Sequence, residues 1–269
     1  MFTKRLISGI VLVILAILIV GQGGILLYAT TALISLIGLF ELYRVMKIEK
    51  NVLGAVGFVS ALVYYGMVWL ENGQQYVTLL AIITLMVLMS IYVFTFPKYK
   101  TEEITVAFFG LFYVPVMLSY LYLVRVMPDG AYLVWLVFFS SWGCDTSAYC
   151  VGMLIGKHKM TPVLSPKKTI EGGIGGIVGA ALLGAIFAVA ANKITGAGVN
   201  PAQYAVICGV GGMISQIGDL AASAIKRNHD IKDYGKLIPG HGGILDRFDS
   251  VIFTAPIIYY LATFLAGRL

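Results

Sequence analysis

The run AQYAVICGVGGMISQIGDLAASAI at 202–225 passes without a break into KRNHDIKDYGKLIPGHGGILDRFD at 226–249. The first part is apolar or small at nearly every position and long enough to cross a hydrocarbon core of roughly 30 Å. It nevertheless carries Gln216 and Asp219. The second part gathers bases, acids, glycines and a His. A spanning segment that ends in acids beside a basic loop suits phosphate and a divalent metal at a membrane surface.

Outward from this stretch, apolar runs recur along the whole chain. Hydrophobic residues make up 59% and charged residues 12%, with a mean hydropathy of +0.90, against roughly 25% charged in soluble domains. The pattern predicts an all-α, polytopic integral membrane protein with about nine transmembrane helices, at approximately 6–21, 24–43, 52–70, 76–97, 104–124, 131–155, 173–191, 202–225 and 250–267. No soluble domain is left over. The basic start at Lys4 and Arg5, without a small-residue cleavage site before a soluble domain, reads as a retained anchor.

Nine spans put the termini on opposite sides, and loop charge orients them. With the N-terminus cytoplasmic, 16 of the 19 Lys and Arg fall inside, leaving Arg125, Lys193 and Arg268 outside. The expected location is the cell's inner or plasma membrane. Cys144, Cys150 and Cys208 all lie in predicted spans, which indicates neither a disulfide framework nor a zinc site. The net charge of +6 is spread over short loops. Anionic headgroups and nucleotide phosphates are therefore the expected partners, rather than nucleic acid.

Residues 1–125 read as a scaffold of spanning helices, with only Glu41 as an acid near a membrane boundary. Residues 126–269 read as the catalytic half, with cytoplasmic loops at 156–172 and 226–249. In the sixth span Ser141, Asp145 and Tyr149 are spaced by four and share a helix face. In the eighth, Gln216, Asp219, Ser223 and Lys226 follow at 3, 4 and 3. An unpaired Asp at mid-membrane costs about 2.5–3.5 kcal/mol, so each acid needs a partner or a wet cavity. Hydroxyls in spans can equally be packing groups.

Gly172 with Gly176, and Gly175 with Gly179, make small-xxx-small pairs suited to close helix packing. A phosphate-cradling P-loop would need a preceding strand and Lys-Ser or Lys-Thr after its last Gly, and this stretch has neither. The loop before it sets Lys167 and Lys168 between Pro166 and Thr169, where ammonium and hydroxyl groups can meet phosphate oxygens. In the last cytoplasmic loop, PGHGG at 239–243 lets backbone amides approach a ligand. Asp246 and Asp249 follow three apart, as a carboxylate pair for Mg²⁺ or as a helix cap. His241 reads as a binding group rather than a general base.

Ser223, Lys226, Arg227, Lys232, Asp233, Pro239 to Gly243, Asp246, Arg247 and Asp249 stand in the spacing of a long gapped signature. With Asp145-x-x-Ala148-Tyr149, Ser165-Pro166-Lys167-Lys168-Thr169-x-Glu171-Gly172 and Gly218-Asp219, the sequence resembles the phosphatidate cytidylyltransferases, or CDP-diacylglycerol synthases. The resemblance implies transfer of a cytidylyl group from CTP to phosphatidic acid, with Mg²⁺ and room for a second metal ion, in an integral membrane homodimer. It makes Asp219 and Asp246 the first metal-ligand candidates and Asp249 and Asp145 the second. Asp219, Asp246, Lys226 and Arg227 are then the expected catalytic set. Ser165, Lys167, Lys168, Thr169, Ser223, His241, Gly242, Gly243 and Arg247 are the expected substrate contacts.

Elementary chemistry agrees with such a reaction. A phosphate monoester with a second pKa of about 6 is largely dianionic at neutral pH and needs no strong base. The obstacle is charge: two anions meet and pyrophosphate leaves, so metal ions and basic clamps at Lys167, Lys168, Lys226 and Arg227 are what the step requires. Two other classes stand beside this one. A cation- or proton-coupled transporter would use Asp145 and Asp219 but not the dense 223–249 loop. A CDP-alcohol phosphotransferase would need an Asp-Gly-x-x-Ala-Arg opening, whereas Asp129-Gly130 continues into Ala131-Tyr132.

Overall fold

The structure, a computed structural model, describes residues 2–70, 73–238, 240 and 242–266. Helices α1 (Phe2–Gln22), α2 (Gly24–Val45), α3 (Val52–Trp69) and α4 (Val77–Phe94) come first, with a 3₁₀ turn at Gly73–Tyr76. A π turn at Phe112–Val116 joins α5 (Thr101–Leu111) to α6 (Met117–Val126), and another at Phe139–Gly143 joins α7 (Gly130–Phe138) to α8 (Cys144–Ile155). A short hairpin, β1 (Lys159–Thr161) and β2 (Ser165–Thr169), leads into α9 (Ile170–Thr195), α10 (Pro201–Asn228) and α11 (Leu245–Leu265).

Among the described residues, seven helices are long and apolar enough to cross a membrane: α2, α3, α4, Thr101–Val126, α9, α10 and α11. The expected count of about nine is not confirmed among the described residues. The run 131–155 is not among the seven; it holds Ser140, Ser141, Asp145, Thr146 and Ser147, which lower its hydropathy. The loop expected at 156–172 also differs, because β1 and β2 pair antiparallel within it.

Local chemistry fixes the helix ends. Asn51 Oδ1 accepts from Gly54 N at 3.0 Å to start α3, and Asn200 Oδ1 accepts from Ala202 N at 2.9 Å with Pro201 at the first helical position of α10. Gly196, at φ 68°, closes α9 in the left-handed conformation that glycine takes without strain. Pro115 lies inside the π turn of the Thr101–Val126 helix, where its missing amide hydrogen breaks the regular ladder.

The chain forms two compact units. One comprises Ile25–Ser119 and Asp233–Asp246, with residues up to Leu15. Its core gathers Leu39, Tyr43, Leu53, Leu88, Ile104 and Leu111, all buried. The Tyr43 hydroxyl donates to Ala107 O at 2.6 Å, and Gly57 and Gly110 leave room for its ring.

The other unit comprises Ala16–Gly24, Tyr120–Lys232 and the chain from Arg247. Here α8, α9 and α10 pack through small residues. A Cβ on Gly176 would stand 2.9 Å from Ala148 Cβ and Cys144 Sγ, and one on Gly184 2.7 Å from Cys208 Sγ. Gly172, Gly175 and Gly179 likewise face α8, so both glycine pairs read from the sequence are packing contacts. Cys144, Cys150 and Cys208 are free thiols.

Gly176→Val should therefore lower the thermal midpoint of the detergent-solubilised protein, since overpacking costs about 1–3 kcal/mol. Gly66→Ala, where an added Cβ meets nothing within 4 Å, should leave the midpoint unchanged or raise it.

Candidate active site

Asp145 is set by the π turn that precedes it. Ser140 and Ser141 are fully buried in that turn, and Ser141 Oγ donates to Val137 O at 2.7 Å. The wider turn shifts the helical phase. Asp145 and Tyr149 line a cavity while Ser141, expected on the same face, is not in its wall.

That cavity holds about 410 Å³. One wall is α8, with Asp145, Ala148, Tyr149, Gly152 and Met153; the opposite side is α10, with Gln216 and Asp219. The hairpin adds Met160, Ser165, Lys167, Lys168 and Thr169, and α9 adds Gly172 and Gly173. Lys168 forms an ion pair with Asp219. Gln216 Nε2 donates to Gly173 O at 2.9 Å, holding α10 to α9 at the cavity edge.

The hairpin that carries the two lysines is fixed at its base. Lys159 pairs with Thr169, and Thr161 with Ser165. Thr169 Oγ1 accepts from Gly172 N at 3.1 Å and caps α9. Glu171 accepts from the amides of Lys157 and His158, at 3.1 and 3.2 Å, and its Oε1 lies 2.5 Å from His158 Nδ1. Two residues of the expected phosphate-binding motif thus also hold the motif in shape.

Asp249 lies outside the cavity wall, 8% exposed, with its Oδ1 accepting from Ser250 N at 2.8 Å. Ser250 Oγ donates in turn to Asp145 Oδ2 at 3.4 Å. Asp145, Asp219 and Asp249 interact electrostatically with one another and with Lys168, Lys226 and Arg247. Arg247 has its Nε buried without a hydrogen-bond partner among the described residues. Three acids close enough to repel in a poorly solvated place are stabilised by a cation, and an all-carboxylate donor set suits Mg²⁺ rather than zinc. No group of three or more His, Cys, Asp and Glu among the described residues could hold a metal unaided. Mg²⁺ ordinarily takes one or two carboxylates and completes its shell with water and substrate phosphate, so the residues fit it.

At the end of α10, Ser223 and Lys226 are half-buried, and the exposed Arg227 donates from Nη1 to Ile231 O at 3.4 Å. None of the three lines the cavity. In the 233–246 segment, Ile238 N donates to Gly242 O at 2.9 Å, and Gly240 and Gly242 have φ of 80° and 86°, as the glycine-rich turn requires. Pro239 and His241 lie outside the described residues. Asp246, 5% exposed, accepts at Oδ2 from Tyr234 N (2.8 Å) and Gly243 N (2.9 Å). A carboxylate offers about four acceptor sites, so two amides do not exhaust it.

One group escaped the sequence reading. Glu41, placed there among scaffold helices, is 3% exposed, and its carboxylate accepts from Ile244 N at 3.2 Å and Leu245 N at 2.8 Å. The signal was present as a lone acid in the last turn of an apolar span.

The chain matches the cytidylyltransferase family over residues 3–265. It is 32% identical to a phosphatidate cytidylyltransferase of Bacillus subtilis over 275 residues, covering 96% of each chain. It is 31% and 32% identical to proteins of that name from Staphylococcus saprophyticus and Staphylococcus epidermidis, covering 96% of this chain and 97% of each relative.

Thr169→Ala should cost about 1 kcal/mol through the lost cap of α9, measured by thermal denaturation in detergent. An unchanged midpoint with weakened nucleotide binding would instead make its hydroxyl a substrate ligand only.

Proposed function

We propose that this chain, which belongs to the cytidylyltransferase family, transfers CMP from CTP to phosphatidic acid, giving CDP-diacylglycerol and pyrophosphate. It is an integral membrane protein of phospholipid synthesis. The observation that carries this reading is the Lys168–Asp219 ion pair in the wall of the cavity that also holds Asp145, Lys167 and Tyr149. Basic groups for phosphate stand there beside carboxylates that suit a divalent cation. A cation- or proton-coupled transporter is not favoured, since conduction requires neither the lysine hairpin nor the family's motifs.

In the reaction, an oxygen of the phosphatidate monoester attacks the α-phosphorus of CTP. A new P–O bond forms and the bond to the β-phosphate oxygen breaks, with its electron pair leaving on pyrophosphate. Lys167 and Lys168 bind phosphate oxygens and lower the repulsion between the two anions. Lys226 and Arg227 take the departing phosphates, and Arg247 pairs with carboxylate or phosphate. Ser165, Thr169, Ser223, His241 and the turn at Gly242 and Gly243 complete the substrate contacts. Asp219 and Asp246 as first candidates, and Asp145 and Asp249 as second, would hold Mg²⁺, which would neutralise charge developing on the phosphates.

The proposal extends to topology. Nine spans, with Gly9–Gln22 and the divided 130–155 run included, place the N-terminus and both motif loops in the cytoplasm, as loop charge favours. Phosphatidate then reaches the site from the inner leaflet of the plasma membrane and CTP from the cytosol. Residues 1–125 serve as scaffold and 126–269 as the catalytic half, in a homodimer that the family resemblance implies.

Purified protein incubated in detergent with α-labelled CTP, phosphatidic acid and Mg²⁺ should yield a labelled lipid that depends on all three. No such lipid from well-folded protein would sink the reading. Asp219→Asn and Asp246→Asn should each lose at least about 100-fold in rate while still inserting and folding. Wild-type rates from either would remove that residue from the site.

A further inference from the structure

Glu41 is a carboxylate with no part in any of the motifs, buried to 3% exposure in the last turn of α2. Burying an acid at the end of an apolar helix is unfavourable unless hydrogen bonds compensate it. The donors are main-chain amides more than two hundred residues away: Oε1 takes Ile244 N and Oε2 takes Leu245 N, at the entry to α11. A helix begins with amides that its own carbonyls cannot satisfy, and it favours negative charge there. Glu41 supplies both, from another helix.

Neighbouring contacts show that this grip reaches Tyr234, Gly235 and Gly243 as well. A Cβ on Gly235 or Gly243 would collide with the Glu41 carboxylate, and one on Gly242 would stand 2.8 Å from Asp246 Oδ2. Gly243 N and Tyr234 N, in turn, donate to Asp246. One turn beyond Glu41, Arg44 Nη2 donates to Tyr234 O at 2.6 Å. The last turn of α2 therefore holds this segment at two places, and Asp246 closes it from within.

We infer that Glu41 is a positioning residue for the reaction: through the amides of Ile244 and Leu245 it fixes the first turn of α11 and hence the carboxylate of Asp246. The catalytic half of this inference rests on Asp246 acting in the site, as proposed above. The grip itself does not.

Glu41→Gln keeps the size of the side chain but turns an NH₂ toward an amide that needs an acceptor. Hydrogen exchange at Ile244 and Leu245 should rise about tenfold or more, as expected for losing a bond to a charged acceptor, while α9 and α10 keep their protection. The rate should fall about 10–100-fold, with a matching rise in the Mg²⁺ concentration needed for half-maximal activity and little change in the KM for phosphatidate. Glu41→Asp should recover part of both. Gly243→Ala, which pushes the segment off an intact Glu41, should give the same profile and decides the matter if Glu41→Gln does not fold. Unchanged exchange would overturn the grip. Raised exchange with wild-type rate and Mg²⁺ dependence would overturn the positioning role. Full activity of Asp246→Asn would instead remove Asp246 from the site and leave exchange alone to judge the grip.

Discussion

A carboxylate on a helix that runs through hydrocarbon must find a cation, a hydrogen-bond donor or water. Asp219 meets Lys168, Asp145 meets Ser250, and Glu41 and Asp246 meet backbone amides. These four solutions differ in what they leave available. Main-chain amides cannot dissociate from the fold, so Glu41 and the Oδ2 of Asp246 are tied into the architecture. The ammonium of Lys168 sits on a flexible stem in a cavity wall and can exchange one anion for another.

Asp145 on α8 and Asp219 on α10 line one cavity because both helices pack closely on α9. Glycine and alanine along α9 let α8 and α10 approach it, with contacts such as Gly176 on Ala148 and Gly212 on Ala180. The same small residues continue into the cavity wall at Ala148, Gly152, Gly172 and Gly173. Packing and cavity are thus one feature: the small residues that draw the helices together also leave the space between them. The π turn before α8 adds the remaining adjustment, by setting the rotation at which Asp145 enters the cavity.

Much of this was legible in the residues. Apolar runs, the glycine pairs of α9, the lysines of the 157–173 loop and the acids of α8 and α10 all declare themselves by composition and spacing. Periodicity failed at Ser141, because a π turn has no signature at a spacing of four. The β-hairpin gave no strand pattern either, since SPKKT is set as a strand by pairing with Lys159–Thr161 and by the cap at Thr169 rather than by apolar alternation. Glu41 was visible as an acid at a span end but not as the partner of α11. Its ligands are backbone amides, which carry no side-chain identity to read, and they lie more than two hundred residues downstream.

The cavity wall has one more consequence. Where Gly152, Gly172 and Gly173 line it, the boundary is main chain, and nothing can be trimmed to enlarge it. Its width is the distance between helix axes. An added carbon at Gly172 would press on the main chain of α8, while one at Gly173 would push aside the side chains of Met160 and Gln216. The freedom to diversify lies instead with the long side chains at the rim, Tyr149, Met153 and Met160. The cavity thus joins a main-chain wall, which sequence change can alter little, to a border of long side chains that it can alter freely.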